Sequence, residues 1–172
     1  EANPKLFSLL QKSLEINGFT NNSIAINKAV SNKIGKANFI AFNETMGSSK
    51  LLQNNDEITN INNYEIEEVN STTLDHELKT LDEIDILKID AEGAEPLIIE
   101  GAFNLLKQSK NIKIIMEFAP TLFFDNINQA KEHINTFKKL GFKINKVGTD
   151  SRLMPIHDAD LYEGHHELFL FR

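Results

Sequence analysis

Residues 84–95 read Ile-Asp-Ile-Leu-Lys-Ile-Asp-Ala-Glu-Gly-Ala-Glu, and the reading of this stretch decides the fold. A short run rich in Ile and Leu stops at Asp90, Glu92, Gly93 and Glu95, and a helical pattern from Pro96 to Leu106 follows directly. That succession predicts a buried parallel strand turning sharply into a helix. Open α/β sheets bind ligands just beyond such strand ends, so these carboxylates point to where a site would be. The same residues have a purely structural reading. Acids in a first helical turn complement the helix dipole without any function, and Glu95 ahead of Pro96 fits that role. Asp90 is the better functional candidate, because it stands at the strand terminus before capping begins.

Downstream, residues 111–118 predict a second buried strand through Ile112, Ile114, Ile115 and Met116. It too ends at an acid, Glu117, and two successive strands with acidic ends favour a shared cleft. Asp125 or Asn126 caps a helix with Ile127, Ala130, Ile134, Phe137 and Leu140 on its apolar face, closed by Gly141. A strand over 142–147 follows, then a loop over 148–165. Residues 167–171 form a closing strand with Leu168 and Leu170 on one side and Phe169 and Phe171 on the other. His133 and His76 fall on helices and are expected at the surface. The run His165-His166-Glu167 tempts a metal reading, but neighbours on a strand point to opposite faces, so no metal site is expected.

Upstream, Asn3 and Pro4 cap a helix over 4–17. Residues 23–30 and 37–42 are strand candidates expected to form a hairpin or lie close together. Residues 43–63 are a long, Asn-rich polar loop, and loops of that length inside a domain are functional or disordered. A strand over 64–69 follows, and Thr72 with Asp75 opens a short helix.

At 172 residues, with no Pro, Gly or Ser-rich linker, the chain 1–172 is expected to be a single domain or most of one. A net charge of -7, from 25 acidic and 18 basic residues, argues against nucleic acid and anionic lipid as partners. The absence of cysteine excludes disulfides, thiolate metal sites and thiol nucleophiles. No apolar stretch approaches membrane-spanning length and the N-terminus lacks signal-peptide features, so a cytoplasmic location is the default expectation.

The string Leu-Lys-Ile-Asp-Ala-Glu-Gly-Ala-Glu at 87–95, with Glu100-Gly101-Ala102 and Ile-Met-Glu-Phe at 115–118, resembles the hallmark of the FkbM family of methyltransferases. Glu1-Ala-Asn-Pro is similar to that family's acidic strand end, and Ala29-Val30 with Gly35 to its next strand and turn. The resemblance implies an α/β fold: a Rossmann-like class I methyltransferase sheet, mostly parallel with a C-terminal antiparallel hairpin, in the family's strand order 3-2-1-4-5-7-6. It also implies a truncated chain lacking the first strands, because the Gly-rich turn of this fold precedes the acid matched by Glu1. About 30 residues, one βαβ unit, would be absent. The sheet would then lose the strands between 23–30 and 84–90, and the open edges would favour a homo-oligomer.

The resemblance further implies S-adenosyl-L-methionine as cofactor and a small-molecule hydroxyl, on a sugar or secondary metabolite, as acceptor. Glu1 and Asn3 would bind the cofactor, Glu1 through the ribose hydroxyls. Ala29 and Val30 would border the adenine. Asp90 would orient the methyl-donor end or act as base, with Glu92 as the second catalytic candidate. Ser48, Ser49 and Glu117 would contact the acceptor. Two other readings stay open: a non-catalytic α/β interaction module, and a magnesium-dependent phosphoesterase-like site on Asp90, Glu92 and Glu117.

Overall fold

The structure is a computed structural model that describes residues 1–42, 49–52 and 64–172. The first part of the chain runs α1 (Pro4–Ile16), β1 (Ala29–Val30), β2 (Gly35–Phe42), β3 (Lys50–Leu51), β4 (Tyr64–Thr72) and α2 (Leu74–Glu77). The middle runs β5 (Ile86–Ile89), α3 (Glu95–Glu100), α4 (Phe103–Gln108), β6 (Lys113–Phe118) and α5 (Pro120–Phe123). The last part runs α6 (Ile127–Lys139), β7 (Lys143–Val147), β8 (Leu153–Pro155), α7 (Asp158–Leu161) and β9 (His166–Phe171).

These strands form two mixed sheets, ordered β1-β4-β2-β3 and β5-β6-β9-β7-β8. The α/β class is as expected, but the mostly parallel sheet is not what the described strands build. Parallel pairing joins β1 to β4 and β5 to β6, and the other neighbours are antiparallel. The reason is connectivity. A parallel neighbour needs a helical crossover, which α3 and α4 supply between β5 and β6. The run β5-β6-β9-β7 does follow the order expected for the last four strands, and β7 and β9 form the expected antiparallel pair. β1 and β2 do not form a hairpin with each other. They flank β4, which pairs with both, and residues 23–28 carry no strand.

The core is densest around the second sheet. Ile114, Met116 and Phe118 of β6 alternate inward, as do Leu168 and Leu170 of β9, while Phe169 and Phe171 stay half-buried. α6 lays Ala130, Ile134 and Phe137 onto this sheet. The Arg172 guanidinium closes it, donating to the carbonyls of Leu106, Ser109 and Leu140 and lying 4.5 Å from the Phe142 ring centroid. His133 joins this packing instead of facing solvent as expected. Its ring stacks on Phe118 and meets Phe124 and Phe137, because its position on α6 places it beside the same face as Ala130 and Phe137. His133 Nε2 is buried with no hydrogen-bond partner among the described residues, and burial pushes the imidazole pKa down to about 4.

A seam joins the two sheets. A Cβ on Gly101 would lie 2.2 Å from the Ser31 carbonyl oxygen, so only glycine fits between them. The Asp75 carboxylate accepts from the Asn104 and Leu105 amides, capping α4 from a distant part of the chain. These contacts explain why the helical pattern from Pro96 to Leu106 is split into α3 and α4 at Gly101 and Ala102. They also correct the expected capping box. Thr73, not Thr72, caps α2 by accepting from the His76 amide, and Thr72 donates its hydroxyl to Glu77.

Candidate active site

β5 ends at Ile89, and the next residues make a turn that an extended chain cannot make. Glu92 has φ 52° and Gly93 φ 98°, two successive left-handed residues. For Glu92 that conformation is strained and must be held by its surroundings. Glu95 is what holds it. Its carboxylate is fully buried and accepts from the Ala91 and Gly93 amides, each at 2.8 Å. Burial is the largest influence on Glu95 and raises its pKa, against the lowering effect of the amide hydrogen bonds. Glu95 is thus more than a complement to the helix dipole: it ties the turn that carries Asp90 and Glu92. The sequence signal was a carboxylate two residues after the turn glycine, a spacing from which the side chain can reach back to the turn amides.

The turn opens onto a cleft of about 400 Å³ between β1 and β5, each the outer strand of its sheet. That volume suits a small cofactor. Glu1, Ala29, Val30, Asp90 and Glu92 all line it, which brings these sequence-predicted residues into one cavity. Phe39, Leu51 and Ile98 supply further apolar wall, and Ala94 keeps the surface close to the turn low. Ser49 also lines the cleft, with its hydroxyl accepting from the Phe42 amide at 3.2 Å. Ser48 lies outside the described residues.

Two candidates lie elsewhere. Asn3 is buried away from the cleft wall, and its side-chain oxygen accepts from the Lys5 and Leu6 amides as the N-cap of α1. Glu117 stands at the end of β6, beyond the cleft wall, with its carboxylate 3.6 Å from His165 Nε2. His166 turns the other way, its Nε2 lying 3.0 Å from the Asp160 carbonyl oxygen. The two adjacent histidines diverge.

Charge is concentrated at the strand ends. Lys88 Nζ sits 3.0 Å from Asp90 Oδ2, a half-exposed ion pair. Burial raises the Glu92 pKa, and the nearby Glu117 and Asp90 charges add to the rise. Across the cleft, Lys28 meets Glu77 at 2.6 Å, and that hydrogen bond, with a second from Thr72, holds the Glu77 carboxyl below its usual range. Among the described residues no group of three or more His, Asp or Glu side chains is arranged to hold a metal ion. The described geometry gives the magnesium reading of Asp90, Glu92 and Glu117 no support: Asp90 faces Lys88 and Glu117 faces His165.

Among the described residues no helix is long and apolar enough to cross a membrane. No curated protein and no solved structure matches the chain. The sequence profile of the methyltransferase FkbM domain does match it, over residues 1–144. That span holds β1, the Asp90–Glu95 turn and the cleft between them, and takes in well over half of the molecule, so the chain belongs to the FkbM family of methyltransferases.

Proposed function

We propose that the protein transfers a methyl group from S-adenosyl-L-methionine to a hydroxyl of a sugar or secondary metabolite. The observation that carries this reading is one cleft with three kinds of wall: the Glu1 carboxylate, the apolar surface of Ala29, Val30 and Phe39, and the carboxylates of Asp90 and Glu92. The cofactor has three parts of matching chemistry. A carboxylate accepts from the paired hydroxyls of a ribose, an apolar slot takes a flat base, and acids tolerate the positive charges of the methionine end.

When bound, the cofactor supplies a methyl group already activated by its sulfonium. The protein's tasks are then to align, to exclude water and to receive a proton. Glu95 ties the Asp90–Gly93 turn through the Ala91 and Gly93 amides, which holds Asp90 and Glu92 on the cleft wall. Lys88 holds the Asp90 carboxylate from the strand side. Asp90 is in position to orient the donor end, and Ser49 lines the same cleft beside β3.

Calorimetric titration of the intact protein with S-adenosylhomocysteine tests the proposal. Binding is expected, and Asp90→Asn weakens it by about tenfold through loss of a charge-assisted contact. Absence of binding to the wild-type protein sinks the cofactor assignment.

A further inference from the structure

β9 runs antiparallel to β6 with His166 opposite Phe118, so the start of β9 stands beside the end of β6. Gly164, at φ 74°, turns the chain there and sets His165 down against Glu117. The His165 side chain is half exposed, and its ring lies 6.4 Å from that of Phe123 at an angle of 69°. Glu92 connects this rim to the cleft, since it lines the cleft and is close enough to feel the charges of both Glu117 and His165. His165 also lies beyond the residues matched by the family, so the family match assigns it nothing.

We propose that this rim is the acceptor site: a sugar ring rests on Phe123, gives hydroxyl hydrogen bonds to Glu92 and Glu117, and loses the proton of its reacting hydroxyl to His165. The proposal rests on the methyltransferase reading above. Ionised carboxylates only accept hydrogen bonds, which suits hydroxyl donors, and an aromatic ring suits the C–H face of a sugar. Glu117 faces Nε2 and so keeps the imidazole proton on that nitrogen, leaving the Nδ1 lone pair for the acceptor. The 3.6 Å separation is long for a hydrogen bond, and such contacts tighten when substrate arrives.

In the step itself the acceptor oxygen forms its bond to the methyl carbon as the carbon–sulfur bond breaks, with the electron pair of that bond staying on sulfur. The hydroxyl proton passes to His165 Nδ1 and from the exposed ring to solvent. The products are a methyl ether, a neutral thioether and one proton. His165 is then a catalytic residue, and Glu117 a positioning residue that acts through it.

The test begins with histidine-ring NMR on the intact protein, comparing its complexes with S-adenosylmethionine and S-adenosylhomocysteine. The His165 resonances should differ between the two, while those of His157 and His76 should not. Identical His165 spectra in both complexes would place the ring too far from the reacting methyl and overturn the proposal. Methyl pyranosides are the probe acceptors. His165→Gln should keep S-adenosylhomocysteine affinity within about twofold yet lose about 100-fold in kcat. Glu117→Gln should shift the His165 tautomer seen by nitrogen-15 NMR and lower kcat with KM unchanged. Unchanged kcat in His165→Gln, or a cofactor-loaded wild-type protein that methylates no pyranoside, overturns the assignment. Failure of the wild type to bind S-adenosylhomocysteine at all is a different result, which strikes the cofactor reading instead.

Discussion

The two sheets treat their apolar residues differently. In the second, Ile114, Phe118, Leu168 and Leu170 are sealed completely, and α6 adds Ile134 and Phe137. In the first, Phe39, Ile40 and Val69 retain some exposure, and α1 buries none of its residues, leaving Leu9 and Ile16 more than half exposed. Burial of apolar area is the main source of stability, so the second sheet is the part that holds the molecule and the first is held to it. The candidate cleft lies between them. The more fully sealed sheet contributes the turn with Asp90 and Glu92, and the less sealed side contributes Glu1, Ala29 and Val30. A site built this way can keep its reacting groups fixed while the opposite wall adjusts to a ligand.

The sharpest way to break this contrast is to remove Phe118. Phe118→Ala should cost about 3–5 kcal/mol in denaturant unfolding. Phe39→Ala in the first sheet should cost less, and equal costs would show that the two sheets share the load.

Acid provides the next largest effect. His133 is kept neutral in the fold at a pKa of about 4, while in the unfolded chain it protonates near its ordinary value of 6.5. Below 6.5 the unfolded state therefore binds more protons, and stability falls as pH drops toward 4. The loss by that point is roughly 2–3 kcal/mol. Thermal melts of wild type and His133→Phe at pH 7 and pH 4.5 measure it. The substitution should remove much of the acid sensitivity, and equal sensitivity in both proteins would assign the acid effect to other groups.

Gly101→Ala probes the seam. Its methyl would collide with the Ser31 backbone, and overpacking of this kind costs about 1–3 kcal/mol, more than the helix propensity of alanine returns. Hydrogen exchange should show β1 loosening more than β6. Uniform loosening would mean that the halves unfold as one.

The smallest effect on stability is expected at the edge of β5, where Ile86 is exposed on a strand that, among the described residues, pairs with β6 alone. Open strand edges pair with other chains, so the protein should self-associate in sedimentation experiments, and Ile86→Lys should shift it toward the monomer. A protein that is monomeric at all concentrations would show that this edge is protected.

Where sequence reading succeeded, the signal was local. Alternation in 167–171 placed Leu168 and Leu170 inside, and the spacing in 127–140 gave α6. Where it failed, the deciding partner was remote in sequence. His133 follows ordinary helical spacing and looked like a surface residue, yet Phe118 and Phe124 reach it from β6 and the segment after α5. Asn3 is near the expected site in sequence, but its amide oxygen is used up by the helix it caps.

What the sequence determined alone is the β5 strand, its acidic turn and the family, because each is encoded in contiguous residues whose periodicity and order are legible without a partner. The tertiary structure decided the rest. Pairing of distant strands set β4 between β1 and β2, folding buried the Glu95 carboxylate under its own turn, and the antiparallel docking of β9 on β6 brought His165 from the far end of the chain to Glu117. The physical reason is that strand pairing and burial are settled by whichever surfaces meet, and residues 75 and 104, or 117 and 165, meet only once the chain has folded.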